Sequence, residues 1–344
     1  MYPLNPVTKT PALPPSLRLS SPAKVNLFLN VLFKRKDGYH EIKTLFERIS
    51  LSDELILVPS RSGIKIISDS KKLPKGPNNI AYRAAKFLKD RFGIKKGIVI
   101  KIRKRIPIAA GLGGGSSNAA SVLLGLNRLW RLRLSKKELL SVGAKLGSDV
   151  PFFILETPFA VGRGRGEILR KIQPPGKKIW HCLVKPSFSI ATKAAYNNLE
   201  KIRLAPPPVS YARNDERSVS RTTQVVGLTP TQSNVRMLFH SIHKGDSKSL
   251  SKLLVNSLES TGLSTAPADV PRAKTRGLEG TLNKRVMEIL KIKKELMRGG
   301  ALGCLLSGSG PTVFGIFSSQ QTASRAARSL RKNKRWQVFV ASSL

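Results

Sequence analysis

The chain has 344 residues, 40% of them hydrophobic, which is enough to bury a substantial core and suggests about two domains. No apolar run reaches the length of a membrane span, so a helical membrane protein is excluded. A formal charge of +41 attracts polyanions of every kind, yet the cations are spread through nearly every segment, only 6% of residues are aromatic, and no RRM, zinc-finger or KH signature accompanies them.

General basicity is therefore the better reading, and a dedicated nucleic-acid site the weaker one. Cys182 and Cys304 form no metal-type or redox-type spacing and read as reduced core residues of a cytosolic protein. Residues 1–18 are rich in proline and polar groups and read as a loose arm. The arm lacks acids, as organelle-targeting segments do, but Arg18 is its one arginine and it is not amphipathic. The cytoplasm is the expected location, with organelle targeting as the alternative.

Residues 23–33, AKVNLFLNVLF, alternate as a strand does. Ala23, Val25, Leu27, Leu29, Val31 and Phe33 take one face, and Lys24, Asn26 and Asn30 the other. KRKDGYH then forms a turn on Asp37-Gly38 that leads into a strand near EIKTLFERI. Further strands are expected at ELILVP, GIKIIS and GIVIKIRK, with a helix in NNIAYRAAKFLKDRF before the last of them.

PIAAGLGGGSSNAAS, residues 107–121, joins a strand to a helix. It is neither a P-loop nor a dinucleotide fingerprint. Counted from Gly111, Ser116 stands where each motif needs a glycine, and no lysine follows. The glycines still let consecutive N–H groups turn inward as an anion nest, reinforced by the helix N-terminus, with Ser116 and Ser117 adding hydroxyls. Four glycines within residues 111–115 exceed what a tight strand-to-helix connection requires, which favours phosphate.

Ser135 and Glu138 are spaced as a capping box opening a helix that ends near Gly147, and SDVPFF follows at once. Asp149 in that segment is a candidate base, against the plainer reading of a turn or capping aspartate. Lys24 is its candidate partner, against that of a solvated strand residue. NKRVMEILKIKKELMRGG reads as a helix closing on Gly299-Gly300; CLLSGSGPTVFGIF reads as strand, glycine turn and strand; a basic helix and the strand WQVFVASSL end the chain. Residues 204–236 and 259–280 lack apolar period and read as surface insertions. Mixed helices and strands in both halves argue for two α+β domains, 19–175 and 176–344.

Together these segments resemble the GHMP small-molecule kinases, in their phosphate loop PIAAGLGGGSSNAAS and their C-terminal glycine loop LSGSGPTVFGIF. Within that superfamily the chain is most similar to the 4-diphosphocytidyl-2-C-methyl-D-erythritol kinase family. SPAKVNLFLNV, KRKDGYHEIKTLF, GLGGGSSNAA, LGSDVPFF and SGSGPTVFGIF stand in that family's order, from about Ser21 to the C-terminus outside the two insertions.

The resemblance implies an α+β GHMP kinase fold, with a ribosomal-S5-like N-terminal domain, an α/β C-terminal domain and ligands in the cleft between. It implies ATP-dependent phosphorylation of the 2-hydroxyl of a cytidyl-linked methylerythritol, on the methylerythritol phosphate route to isoprenoids. Lys24 and Asp149 match the catalytic pair. Pro107, Ile108, Ala109, Ala110, Gly111, Leu112, Gly113, Gly114, Gly115, Ser116 and Ser117 match the ATP phosphate loop, and Asn79 a nucleotide-base contact. Tyr39 and His40 match the groups that hold cytosine, Tyr196 a second stacking aromatic, and Asn26, Phe46 and Asn118 the substrate wall. The expected cofactors are ATP and Mg²⁺, the expected state a monomer or weak homodimer with neither a specific nucleic acid nor a membrane as partner. A GHMP kinase for a mevalonate- or homoserine-like alcohol is the alternative, against which the DGYH turn argues. A basic nucleic-acid binder on this fold comes after it.

Overall fold

The computed structural model describes residues 16–174, 176–192, 194–197, 232–259 and 272–344. Two long strands, β1 (Leu17–Lys34) and β2 (His40–Ser60), pair antiparallel around the Asp37-Gly38 turn, where Gly38 has φ +81°. β3 (Ile64–Ser68), helix α1 (Ile80–Arg91) and β4 (Gly97–Arg103) follow, with β3 parallel to β4 and β4 antiparallel to β2. Next come α2 (Gly114–Leu129), α3 (Lys136–Leu146), the short α4 (Val150–Leu155), β5 (Phe159–Arg163) and β6 (Ile168–Ile172). β5 pairs with β2 at residues 44–47 and carries β6 outside it. The capping box at Ser135 and Glu138 is formed as its spacing predicts.

The rest of the chain builds a second sheet, in the order β11-β7-β10-β9, entirely antiparallel. Its elements are β7 (Trp180–Lys185), β9 (Gly303–Leu306), β10 (Val313–Phe317) and β11 (Gln337–Ser342). Between them lie α5 (Gln232–Lys244), α6 (Ser247–Leu253), β8 (Val255–Asn256), α7 (Arg272–Arg298) and α8 (Gln320–Leu330). β8 crosses back to the first sheet and pairs parallel with Phe28 and Leu29 of β1.

Burial explains the layers. In α1, Ala81, Ala84, Ala85 and Leu88 recur at helical spacing and pack with Ala119, Val122, Leu123 and Leu126 of α2 on Leu55, Leu57, Ile98 and Ile100 of the sheet. A second core, containing Val25, Leu27, Ile49, Leu183, Phe239 and Phe314, joins the two sheets through α5 and α6. A third lies under α7 and α8 and includes Ile292, Leu296, Ala323 and Phe317. Each fully buried Phe or Leu contributes roughly 1.5–3 kcal/mol. Across the junction, His181 of β7 meets Glu47 of β2, Nε2 to Oε1 at 2.8 Å with both side chains fully buried. Ser342 and Leu344 add backbone N–H bonds to Ser50 Oγ and Arg48 O.

Several expectations shift. The strand anticipated at 23–33 begins at Leu17, so Leu17 and Arg18 belong to β1 and not to a loose arm; Arg18 Nη1 lies 2.7 Å from Glu54 Oε1. Residues 1–15 of that arm lie outside the described residues. The alternation also fails in mid-strand, because register shifts occur between Asn26 and Phe28 and between Val31 and Phe33. After the first shift Leu29, not Asn30, joins Lys24 and Asn26 in lining the cleft, and beyond the second Phe33 is 60% exposed.

The expected insertions are shorter at their C-terminal ends. Residues 232–236 open α5, which buries Val235, Leu238, Phe239 and Ile242 at helical spacing, and 272–280 belong to α7. Glu259 is anchored as well, accepting from Leu306 N and Lys293 Nζ, each at 2.6 Å. Residues 204–231 and 260–271 lie outside the described residues.

Candidate active site

A cleft of about 890 Å³ is lined by β1, the 107–116 segment, Ser148 and Asp149, the 37–40 turn, Arg165, Thr192, Tyr196, Gly308 and Ser309. The glycine-rich 107–116 segment is fixed from below. Asp53, fully buried, accepts from Arg105 N and Ile106 N at 2.8 Å and from Asn118 Nδ2 at 2.9 Å, and pairs with Lys104. That locks the chain as it leaves β4. Ala109, Gly111 and Gly113 then take positive φ (52°, 77° and 68°), the alternation that turns peptide N–H groups inward. Gly113 caps α2, whose N-terminus opens on the cleft.

The second glycine loop is pressed against the first. A Cβ on Gly111 would lie 2.1 Å from Ser307 O, so glycine is required there by contact as well as by φ; Ser307 Oγ donates to Gly111 O at 3.0 Å. Asn256 of β8 holds that loop, its Nδ2 donating to Leu306 O and Gly308 O at 2.8 Å each.

Lys24 runs between the two loops. A Cβ on Gly113 would stand 3.0 Å from Lys24 Cγ, and one on Gly308 3.2 Å from Nζ. Its peptide N–H donates to Leu112 O at 3.0 Å. Nζ donates to Asn26 Oδ1 at 2.7 Å and lies 3.5 Å from Asp149 Oδ2 and 5.7 Å from the centre of the Phe46 ring. Asn26 is oriented in turn by Thr44, which accepts from Nδ2 at 2.8 Å and donates to Phe28 O at 2.7 Å. At 4% exposure Lys24 is no solvated strand residue. Asp149, where α3 gives way to α4, makes no side-chain capping bond, so its carboxylate is left for the cleft.

At the other end, His40 and Tyr196 are in ring contact, centroids 5.0 Å apart and planes tilted by 35°. Burial, and after it the charge of Asp149, push the Tyr196 hydroxyl above its ordinary range, so it remains a donor at neutral pH. Tyr39 is 52% exposed at the cleft rim, with the Arg165 guanidinium 4.6 Å from its ring centre.

Of the sequence candidates, the structure brings Lys24, Asn26, Tyr39, His40, Phe46, Asp149, Tyr196 and all of Pro107–Ser116 to this cleft. Three others do not line it, and each is engaged in bonds of its own. Ser117 is fully buried and accepts from Ser21 Oγ at 2.8 Å. Asn118 is spent on Ser21 and Asp53. Asn79 caps α1, accepting from Ala81 N at 2.9 Å and donating to Pro74 O at 2.7 Å, and Leu73 and Ile80 line the wall there instead. Ser117 and Asn118 tie α2 to β1 and β2, and Asn79 satisfies the first turn of α1. Sequence reasoning missed Arg165, Lys104, Asp53 and Asn256. Only Arg165 carried a signal, the flanking Gly164 and Gly166, with φ +71° and +108°.

Known proteins bear on this arrangement. Residues 79–157 match the GHMP kinases N terminal domain and residues 238–335 the GHMP kinases C terminal family. The 4-diphosphocytidyl-2-C-methyl-D-erythritol kinase of Geobacillus kaustophilus is 38% identical over 92% of this chain and 93% of its own. The chain belongs to the 4-diphosphocytidyl-2-C-methyl-D-erythritol kinase family. A solved kinase of this family superposes with TM-score 0.68 at 30% identity, covering 95% of this chain and 98% of its own. A homoserine kinase from Cytophaga hutchinsonii superposes at 0.64 but only 20% identity, covering 99% and 97%, and so shares the fold alone. The α+β GHMP kinase architecture expected from the sequence is thereby borne out, with the cleft lined from both parts of the family fold.

Proposed function

We propose that the chain transfers the γ-phosphate of ATP to the 2-hydroxyl of 4-diphosphocytidyl-2-C-methyl-D-erythritol, on the methylerythritol phosphate route to isoprenoid precursors. The observation that carries it is the meeting, in one cleft, of the Lys24–Asp149 pair, the glycine nest and the Tyr39–His40–Tyr196 cluster. Phosphoryl transfer asks the protein for positioning and charge stabilisation more than for covalent chemistry. Asp149 takes the proton of the attacking hydroxyl. Lys24, held by Asn26, aims that carboxylate and offsets charge on the transferring group. The N–H groups of residues 109–115 hold the triphosphate. Tyr39 and Tyr196 supply aromatic faces to the base, and His40 a polar edge.

Among the described residues no group of three or more His, Cys, Asp or Glu side chains could cage a metal ion. That fits Mg²⁺ carried in by ATP, since this ion keeps several waters and leans on phosphate oxygens. Ser116 would hold it: its Oγ lines the cleft and lies 3.9 Å from where a Cβ on Gly147 would stand, two residues before Asp149. Bound there, Mg²⁺ neutralises phosphate charge.

No helix among the described residues is long and apolar enough to cross a membrane. Two free cysteines suit a reducing compartment, and we place the protein in the cytoplasm.

The test is ATP turnover with the cytidyl substrate beside mevalonate and homoserine. Turnover with the first alone is expected; equal or better turnover with either of the others would overturn the assignment.

A further inference from the structure

Three cations line the cleft: Lys24, Lys104 and Arg165. Lys24 is committed at the reacting end, and Lys104 to Asp53 beneath the phosphate loop. Arg165 is placed differently, in the turn between β5 and β6 and beside Tyr39.

That turn is built to present it. Gly164 N donates to Glu41 Oε1 at 2.9 Å, tying the turn to β2 just past Tyr39 and His40. The Arg165 peptide N–H donates to Glu167 Oε2 at 2.6 Å. Its guanidinium covers the Tyr39 ring at 4.6 Å, and Nη2 reaches Ala144 O, on α3, at 3.4 Å. Nε forms an ion pair with Glu167 Oε1 at 3.6 Å, longer than a hydrogen bond. A guanidinium carries five N–H donors; among the described residues this fork gives one to Ala144 O and pairs with Glu167 by charge, so it is held in place with donors left over.

We infer that Arg165 binds the diphosphate that links the cytidine and the methylerythritol of the substrate. The inference rests on the function proposed above and deepens it. If Tyr39, His40 and Tyr196 hold the base and Asp149 takes the hydroxyl proton, the diphosphate lies between them, one ribose from the base. A planar cation stacked on the base's own aromatic platform is within reach of that link. The nest is reserved for the triphosphate. An arginine fork matches phosphate oxygens two at a time, which a lysine cannot do. Arg165 thereby lets the enzyme distinguish a cytidine diphosphate from cytidine.

Binding of cytidine, CMP and CDP, measured by calorimetry with ADP saturating the phosphate loop, separates this role from simple support of Tyr39. The wild-type chain should bind CDP more tightly than cytidine. Arg165→Gln should leave cytidine affinity within about twofold and weaken CDP about tenfold or more, the loss of a charge-assisted bond. Arg165→Lys, which keeps the charge without the fork, should fall between. In turnover, KM for the cytidyl substrate should rise while kcat and KM for ATP hold. Equal losses for cytidine and CDP, or no loss for CDP, would overturn the inference while leaving the proposed function standing. A wild-type chain that binds no cytidine at all would remove the proposed function, and this inference with it.

Discussion

Lys24 Nζ lies 2.7 Å from Asn26 Oδ1 and 3.5 Å from Asp149 Oδ2, so the lysine is fixed by its strand neighbour and offered to the carboxylate. Asp149→Asn keeps the shape but cannot accept the proton, and kcat should fall by roughly two to four orders of magnitude with ATP affinity nearly unchanged. Lys24→Met should fall comparably. If the two groups act as a unit, the double variant loses much less than the sum of the two singles. Near-normal steady-state turnover in Asp149→Asn would remove it from the base's role.

The aromatic end should demand cytosine. Stacking on Tyr39 and Tyr196 accepts any base, since every base has a π-face. Discrimination has to come from polar groups near His40 that uracil leaves unpaired. The uridine analogue should react at least about a hundredfold less efficiently, roughly 3 kcal/mol in the barrier. His40→Ala should narrow that preference, and Tyr39→Ala should chiefly raise KM. Equal kcat/KM for the two analogues would return the site to a general GHMP kinase.

Asn256 spends both amide hydrogens on Leu306 O and Gly308 O, in the loop that touches Gly111 and Lys24. Asn256→Ala leaves two carbonyls without their donor and should cost about 1–3 kcal/mol of stability. Asn256→Asp turns acceptors toward acceptors and should cost more, in both melting temperature and kcat. An aspartate variant as stable and active as the wild type would show that the loop is held by other contacts.

The two thiols should be inert in the native enzyme. Burial pushes Cys182 and Cys304 from an ordinary 9.0 up to about 12, so the folded state keeps both protonated. The sign follows: their contribution to stability is complete below pH 9 and is lost as pH rises toward 12. Iodoacetamide at pH 8 should label neither residue in folded protein and both after unfolding. Rapid labelling of native enzyme would contradict the burial.

The candidate site was legible where its residues sit in dense local patterns, and the resemblance to the kinase family tied those patterns together. The glycine stretch and the DGYH turn each state a backbone requirement, and both line the cleft with Asp149 of GSDVPFF. What was lost lay in direction and distance. Ser116 faces the cleft while Ser117 and Asn118, one and two residues on, face the core, because α2 turns about 100° per residue. The register shift at Leu27, invisible in composition, moved Leu29 to the cleft face in place of Asn30. Asn256 stands alone in a two-residue strand, and its partners lie far along the chain. Of the fold, the periodic helices and paired strands were readable. The return of β8 to the first sheet was not, since two residues carry no period.

That return has a consequence for synthesis. The outer edge of β1 is closed by Leu112 O at Lys24 and by Val255 and Asn256 at Phe28 and Leu29. Val255 leaves the ribosome long after Phe28, and until it does the apolar segment NLFLNVLF offers an open edge to any neighbouring nascent chain. Strand pairing along that edge is therefore completed only late in synthesis. The growing polypeptide also cannot consume ATP early, because the loop that encloses Lys24 is among the last parts made.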